Sequence, residues 1–266
     1  MEDGYDITRK CFSKILEMQT GITIVTPNEL KADGSYKVAY LLHGLCGSNG
    51  DWADFTMLPV YSDNYDVIFI MPEVFRSFYT DMKYGAKFFT YITEELPLIC
   101  KSFFNISSKR EDTMVIGGSM GGYGALKCAL SKPEQYGVCG AFSSACLFLK
   151  EGLEIQRYDE NTEEFKKTKK IFGEQILNDF KAIFGDNLEW NPDYEILELA
   201  KKSNEKPHKP KIYTSCGSQD YFRKDNMRFS NEMKKLDFDF TYEEWNGVHD
   251  WYFFNEALKK FLERCV

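Results

Sequence analysis

The stretch Val115–Leu126, "VIGGSMGGYGAL", packs five glycines around one serine. Within it, Gly117-Gly118-Ser119-Met120-Gly121 matches the pattern G-x-S-x-G. A strand-like run, "DTMVIGG", precedes the serine, and a helix-like run, "YGALKCALSKPE", follows it. A strand turning sharply into a helix holds its corner residue in a strained conformation, and glycines two positions either side let the two elements approach closely. The Ser119 hydroxyl then projects free of neighbours, and the first helical amides point toward it, which suits a nucleophile whose reaction develops negative charge. The competing readings are a glycine-rich turn with an incidental serine and a phosphate loop. The second lacks both a G-K-[ST] and the G-x-G-x-x-G spacing.

A serine hydroxyl is barely acidic at neutral pH and needs a base. The chain has three histidines. His208 lies in "EKPHKP", a proline-flanked linker. His43 precedes the serine at a different corner and reads as structural. His249, in "WNGVHDW", follows the last strand, and Gly247 lets that loop bend back over the sheet edge, so His249 is the expected base. The base in turn needs a carboxylate to fix its tautomer. Asp220, ending "YTSCGSQD", follows the penultimate strand, with Asp225 as the fallback and Asp250 too close in sequence to His249 to face it. Asp220 also reads as a helix cap for the next turn. For the oxyanion, "LLHGLCGSNGDW" offers the backbone amide of Leu45, and the residue after the serine offers that of Met120. Trp52, Phe78 and Tyr79 are candidate pocket walls, although aromatic residues are more often core.

Elements able to bring these residues together are legible in the periodicity. Strand-length apolar runs at 20–27, 36–44, 65–72, 112–118, 137–145, 209–217 and 238–245 alternate with helical patterns at 89–104, 123–134, 226–236 and 251–265. Pro97 implies a kink or restart inside the 89–104 helix. Such alternation predicts an α/β fold: a mostly parallel sheet with helices on both faces. Residues 145–210 break the rhythm. This segment, rich in lysine and glutamate, predicts a small helical cap inserted within a single domain spanning 1–266 and placed over the sheet edge where ligands bind.

Composition narrows the classes of function. The chain has 266 residues, is 43% hydrophobic and carries a formal charge of −8, which suits a sizeable core and opposes nucleic acid as a partner. "EEFKKTKK" reads as a solvated helix face. Eight scattered cysteines, with no C-x-x-C and no zinc spacing, predict buried free thiols and no metal. The polar start "MEDGYDITRK" and the absence of a long apolar run predict a cytoplasmic protein without a membrane span.

Five blocks in order, "YLLHGLCGSNGDW", "RSFYTDMKYG", "FTYITEELP", "GGSMGGYGA" and "GVHDWYFF", resemble the esterase D-like α/β-hydrolases. Bacterial tributyrin esterases look most similar, with feruloyl and acetylxylan esterases and S-formylglutathione hydrolases as cousins. The resemblance runs from about residue 20 to 260. It implies an α/β-hydrolase fold and a cofactor-free serine carboxylesterase acting on short-chain acyl (acetyl to butyryl) or hydroxycinnamoyl esters. Nucleophile, acid and base fall on Ser119, Asp220 and His249, and the oxyanion amides on Leu45 and Met120. The implied partner is a small-molecule or oligosaccharide ester, and the family's habit of forming homo-oligomers extends to this chain. The cap sequence matches poorly, so substrate choice stays open. S-formylglutathione hydrolase or another thioesterase is the nearest alternative, then a non-catalytic binding protein of the same fold and a peptidase.

Overall fold

The computed structural model describes residues 6–29, 35–158 and 162–266, and within them eight strands form one sheet. They are β1 (Asp6–Ser13), β2 (Met18–Val25), β3 (Lys37–Leu42), β4 (Val67–Pro72), β5 (Thr113–Gly118), β6 (Val138–Phe142), β7 (Lys211–Gly217) and β8 (Phe240–Trp245). The spatial order is β1-β2-β4-β3-β5-β6-β7-β8. Strand β2 runs antiparallel to β1 and β4, and the remaining neighbours are parallel.

Successive side chains of a strand point to opposite faces. Val38, Tyr40 and Leu42 of β3 enter one hydrophobic core, while Ala39 and Leu41 enter the other. In β4, Ile68 and Ile70 part in the same way from Val67, Phe69 and Met71. The near-continuous apolar runs follow from this: a central parallel strand buries both faces. β1 is the strand that its sequence hides. It is an edge strand with three exposed polar residues in a row, Thr8, Arg9 and Lys10, so it lacks the apolar signature.

The helices are α1 (Asp51–Phe55), α2 (Leu58–Tyr65), α3 (Phe88–Thr90), α4 (Leu96–Phe103), α5 (Met120–Ser131), α6 (Leu149–Tyr158), α7 (Glu163–Phe172), α8 (Gln175–Phe184), α9 (Ile196–Asn204), α10 (Arg223–Met233) and α11 (Trp251–Cys265). α1, α2 and α11 cover one face of the sheet; α4, α5, α9 and α10 cover the other. A π-helical turn, Tyr91–Glu95, separates α3 from α4. It lets Pro97 fall in the first turn of α4, where no amide hydrogen is needed, and so supplies the expected restart.

Helices α6 to α9 lie between β6 and β7. Over the segment read as a cap, α9 packs against α5 and α10 and completes the helix layer, whereas α6 and α8 face a cavity at the carboxyl ends of the strands. The architecture is the mostly parallel α/β sheet expected from the alternation, and specifically the α/β-hydrolase fold that the resemblance implies. No helix among the described residues is long and apolar enough to cross a membrane.

Candidate active site

Ser119 joins β5 to α5 with φ 58° and ψ −120°, a left-handed conformation that a residue with a side chain adopts at a cost. The glycines around it are there for closeness. A Cβ on Gly121 would lie 2.1 Å from the Leu42 carbonyl oxygen, and one on Gly117 2.2 Å from the Gly121 oxygen. Both obstacles are backbone and cannot swing aside. Gly121→Ala is therefore expected to cost about 3 kcal/mol or more, lowering the melting temperature by roughly 6–12 °C in thermal unfolding. The Ser119 hydroxyl donates no hydrogen bond to a described residue, and it sits at the positive end of a twelve-residue helix.

His249 lies in the loop between β8 and α11, and Asp220 in the loop after β7. Backbone bonds lock the two loops together: Ser218 N–H donates to Trp245 O (2.8 Å) and Gln219 N–H to Gly247 O (3.0 Å). His249 Nδ1 then lies 2.8 Å from Asp220 Oδ2. A carboxylate only accepts, so Nδ1 carries the hydrogen and Nε2 is left as the basic nitrogen. The Asp220 side chain is fully buried, and its other oxygen accepts from Phe222 N–H (2.8 Å). Burial alone would raise this carboxyl. The His249 hydrogen bond and charge, the Phe222 amide and the Ser143 hydroxyl outweigh it and hold the pKa below the usual aspartate value. Asp250 instead caps α11, accepting from Phe253 N–H at 2.9 Å. Asp225 stands in the first turn of α10 and lines a cavity that His249 does not border.

The 43–50 loop runs against the serine: a Cβ on Gly44 would lie 3.6 Å from Ser119 Cβ. Neither the Leu45 nor the Met120 amide donates to another described residue. His43 is buried behind the loop. Its Nδ1 is 2.8 Å from Gly44 O, and its Nε2 is 3.2 Å from both Val74 N and Glu73 Oε1, so both ring nitrogens are engaged. Glu73 also accepts from the Asn49 and Phe75 amides. Burial would raise its pKa; the His43 contact and the two amides prevail and lower it.

Ser119 stands between two cavities. One, of about 480 Å³, is walled by Phe78, Phe148, Ile155, Ile176 and Phe180. The other, of about 490 Å³, is walled by Trp52, Phe55, Trp251 and Phe254 and contains His249. Leu45, Ser119 and Tyr221 border both. Of the three aromatic walls expected from sequence, Phe78 and Trp52 line one cavity each, and Trp52 also ties α1 to β3 through Nε1–H to Leu42 O (3.0 Å). Tyr79 lines neither cavity. It is fully buried and donates its hydroxyl to His43 O (2.8 Å), so it supports the loop from behind because its ring fills the core beside Gly124. Sequence reasoning missed Tyr221, whose ring centre is 4.6 Å from that of His249. Burial pushes its phenol up to about 12, which keeps it neutral. It directly follows Asp220, and that adjacency was the available signal. All eight cysteines are free thiols; four are buried, but Cys46 is exposed on the 43–50 loop. Among the described residues, no group of three or more His, Cys, Asp or Glu side chains is placed to hold a metal ion.

Residues 13–265 match the family model described as putative esterase. An acetyl esterase of Caldicellulosiruptor saccharolyticus is 30% identical over 262 residues, covering 95% of this chain and 94% of that protein. Among solved structures, the fluorophosphonate-binding serine hydrolase FphF of Staphylococcus aureus superposes with a TM-score of 0.82 at 24% identity, covering 99% of both chains. A ferulic acid esterase superposes at 0.77 with 22% identity and the same coverage. These two structures share the fold.

Proposed function

The chain belongs to the putative esterase family, and from that premise we propose that it is a serine hydrolase of carboxylic esters in which Ser119, His249 and Asp220 hydrolyse short-chain acyl or hydroxycinnamoyl esters. The observation that carries this reading is the half-buried corner serine opening onto the same cavity as a histidine whose Nδ1 is held by a buried carboxylate. His249 Nε2 takes the Ser119 proton as the oxygen attacks the ester carbonyl. The Leu45 and Met120 amides stabilise the oxyanion. His249 then protonates the departing alcohol, and water repeats the sequence on the acyl-enzyme.

This chemistry assigns the two cavities. The alcohol must leave beside His249, so it occupies the 490 Å³ cavity, and the acyl group occupies the 480 Å³ cavity walled by Phe78, Phe148 and Phe180. The segment between β6 and β7 acts as a cap by supplying α6 and α8 to the acyl side. Gly152 on α6 lines that cavity, and a Cβ there would meet nothing within 4 Å. Gly152→Phe should fill the space, lowering kcat/KM for butyryl and feruloyl esters at least about tenfold while acetyl ester turnover holds within about threefold. Steady-state kinetics on the three esters check it.

The reading itself is tested with acetyl, butyryl and feruloyl esters and S-formylglutathione, together with labelling by a fluorophosphonate. Labelling at Ser119 with ester turnover supports it. A dominant rate on S-formylglutathione would move the assignment to the thioesters, and an unlabelled, inactive protein would end it. Exposed Phe12, Leu98 and Phe103 at the β1 and α4 edge support self-association as part of the same proposal.

A further inference from the structure

Arg76 has no part in the chemistry above, yet it touches both halves of the site. It sits in the segment after β4, where Phe75, Phe78 and Tyr79 all have positive φ (51°, 48° and 52°). A run of strained residues persists only where the surroundings over-determine it. Its Nε donates to Asp179 Oδ2 at 2.8 Å, and its Nη2 lies 2.7 Å from the same oxygen. Asp179 is a buried residue of α8, and its second oxygen accepts from Gln175 (3.1 Å). From the other side of the guanidinium, Nη1 donates to Cys46 Sγ at 2.8 Å.

Both contacts fall where positioning matters. Cys46 is the third residue of a tight turn closed by Gly47 N–H to Gly44 O (3.2 Å), and it holds φ 67°, a place usually given to glycine. Its neighbour Leu45, which borders both cavities together with Ser119, carries the amide read as an oxyanion donor. Ile176 and Phe180, on the helix that bears Asp179, wall the acyl cavity, and Phe180 meets Phe78 edge-on with ring centres 5.1 Å apart. The same helix is bonded to the segment beyond Arg76 by Lys83 N–H to Ile183 O and Tyr84 N–H to Ala182 O, both 2.9 Å.

We propose that Arg76 is a positioning residue for the oxyanion hole: it clamps the Cys46 turn, and with it the Leu45 amide, to Asp179 on the helix that walls the acyl cavity. The inference rests on the reading of Leu45 as an oxyanion donor. A planar guanidinium presents donors on two separated edges in a fixed fork, a geometry that a compact lysine ammonium does not reproduce.

The experiment measures kcat, KM and melting temperature for wild type, Arg76→Met, Arg76→Lys and Asp179→Asn on acetyl and butyryl esters. Losing a donor outright costs about 10²–10³ in turnover, so a misaimed donor should cost about 10- to 100-fold in kcat. The loss should be the same for both acyl groups, with KM changed less than about threefold, and Arg76→Lys should recover only part of it. Asp179→Asn should lower kcat in the same direction although it never touches the loop. A purely structural clamp would lower the melting temperature and raise KM for the butyryl ester with kcat intact, and that result would overturn the proposal. So would wild-type kcat in Asp179→Asn, which is the informative variant if Arg76→Met does not fold. A wild type that Ser119→Ala leaves equally active would instead refute the functional assignment, and the two failures are distinguishable.

Discussion

Ser119→Ala should lower kcat on p-nitrophenyl acetate by roughly 10⁶-fold, as expected when the nucleophile of such a unit is removed. A residual acceleration of about 10³ over water should persist, because the oxyanion amides and the cavities are untouched. Stability should barely change. The Ser119 hydroxyl makes no hydrogen bond to a described residue, so removing it leaves no buried partner unsatisfied. Alanine inherits the unfavourable φ of 58°, but glycine does not. Ser119→Gly should therefore be equally inactive yet more stable than wild type by about 1 kcal/mol, the size of the backbone strain relieved. Steady-state kinetics and thermal unfolding of the two variants test both statements. Turnover of Ser119→Ala near the wild-type rate would move the nucleophile elsewhere.

The second large effect belongs to Asp220→Asn, expected to reduce kcat by about 10⁴ with KM nearly unchanged. The reason is the tautomer. An asparagine amide can donate to Nδ1, which moves the ring hydrogen to Nε2 and removes the basic lone pair that the mechanism requires there. The substitution also tests the electrostatics of the pair. The Asp220 pKa is depressed in the folded protein, chiefly by His249 acting against burial. The carboxylate therefore contributes stability above its unfolded value of about 3.9, and that contribution is lost as pH falls through the lower folded value. Asp220→Asn should be less stable than wild type near neutral pH, and the gap should close below about pH 4 as the wild-type carboxylate takes up its proton. A gap that widens on acidification would mean that the carboxyl is raised rather than lowered. Denaturant unfolding at several pH values decides.

Much of the fold could be read along the chain because burial on both faces leaves a composition signature. β3, β4 and β5 carry near-continuous apolar runs since each feeds two cores, and α11 carries a clear helical stripe with Phe253, Phe254, Ala257, Leu258, Phe261 and Leu262 buried. β1 leaves no such signature, because an edge strand needs no continuous apolar run. α1 and α2 also leave little trace in the sequence, being short, with few buried residues to mark them. Strand order had no local correlate at all: β3 pairs with β4 and β5, a choice made by how crossovers pack rather than by any one segment.

The same division runs through the site. The sequence alone determined the corner at Ser119, because its geometry is local: a strand, a helix and glycines at 117 and 121, where a Cβ would strike backbone four residues on at Gly121 or across at Leu42. It also narrowed the candidate base to His249, since three histidines leave little choice. Only the tertiary structure decided that Asp220 rather than Asp225 faces His249, that Tyr79 props a loop instead of lining a pocket, and that α6 and α8 wall a cavity beside Ser119. Those outcomes depend on which loops the sheet order brings side by side, and on side chains meeting across 29 to 103 residues of chain, distances over which spacing in sequence carries no geometric information.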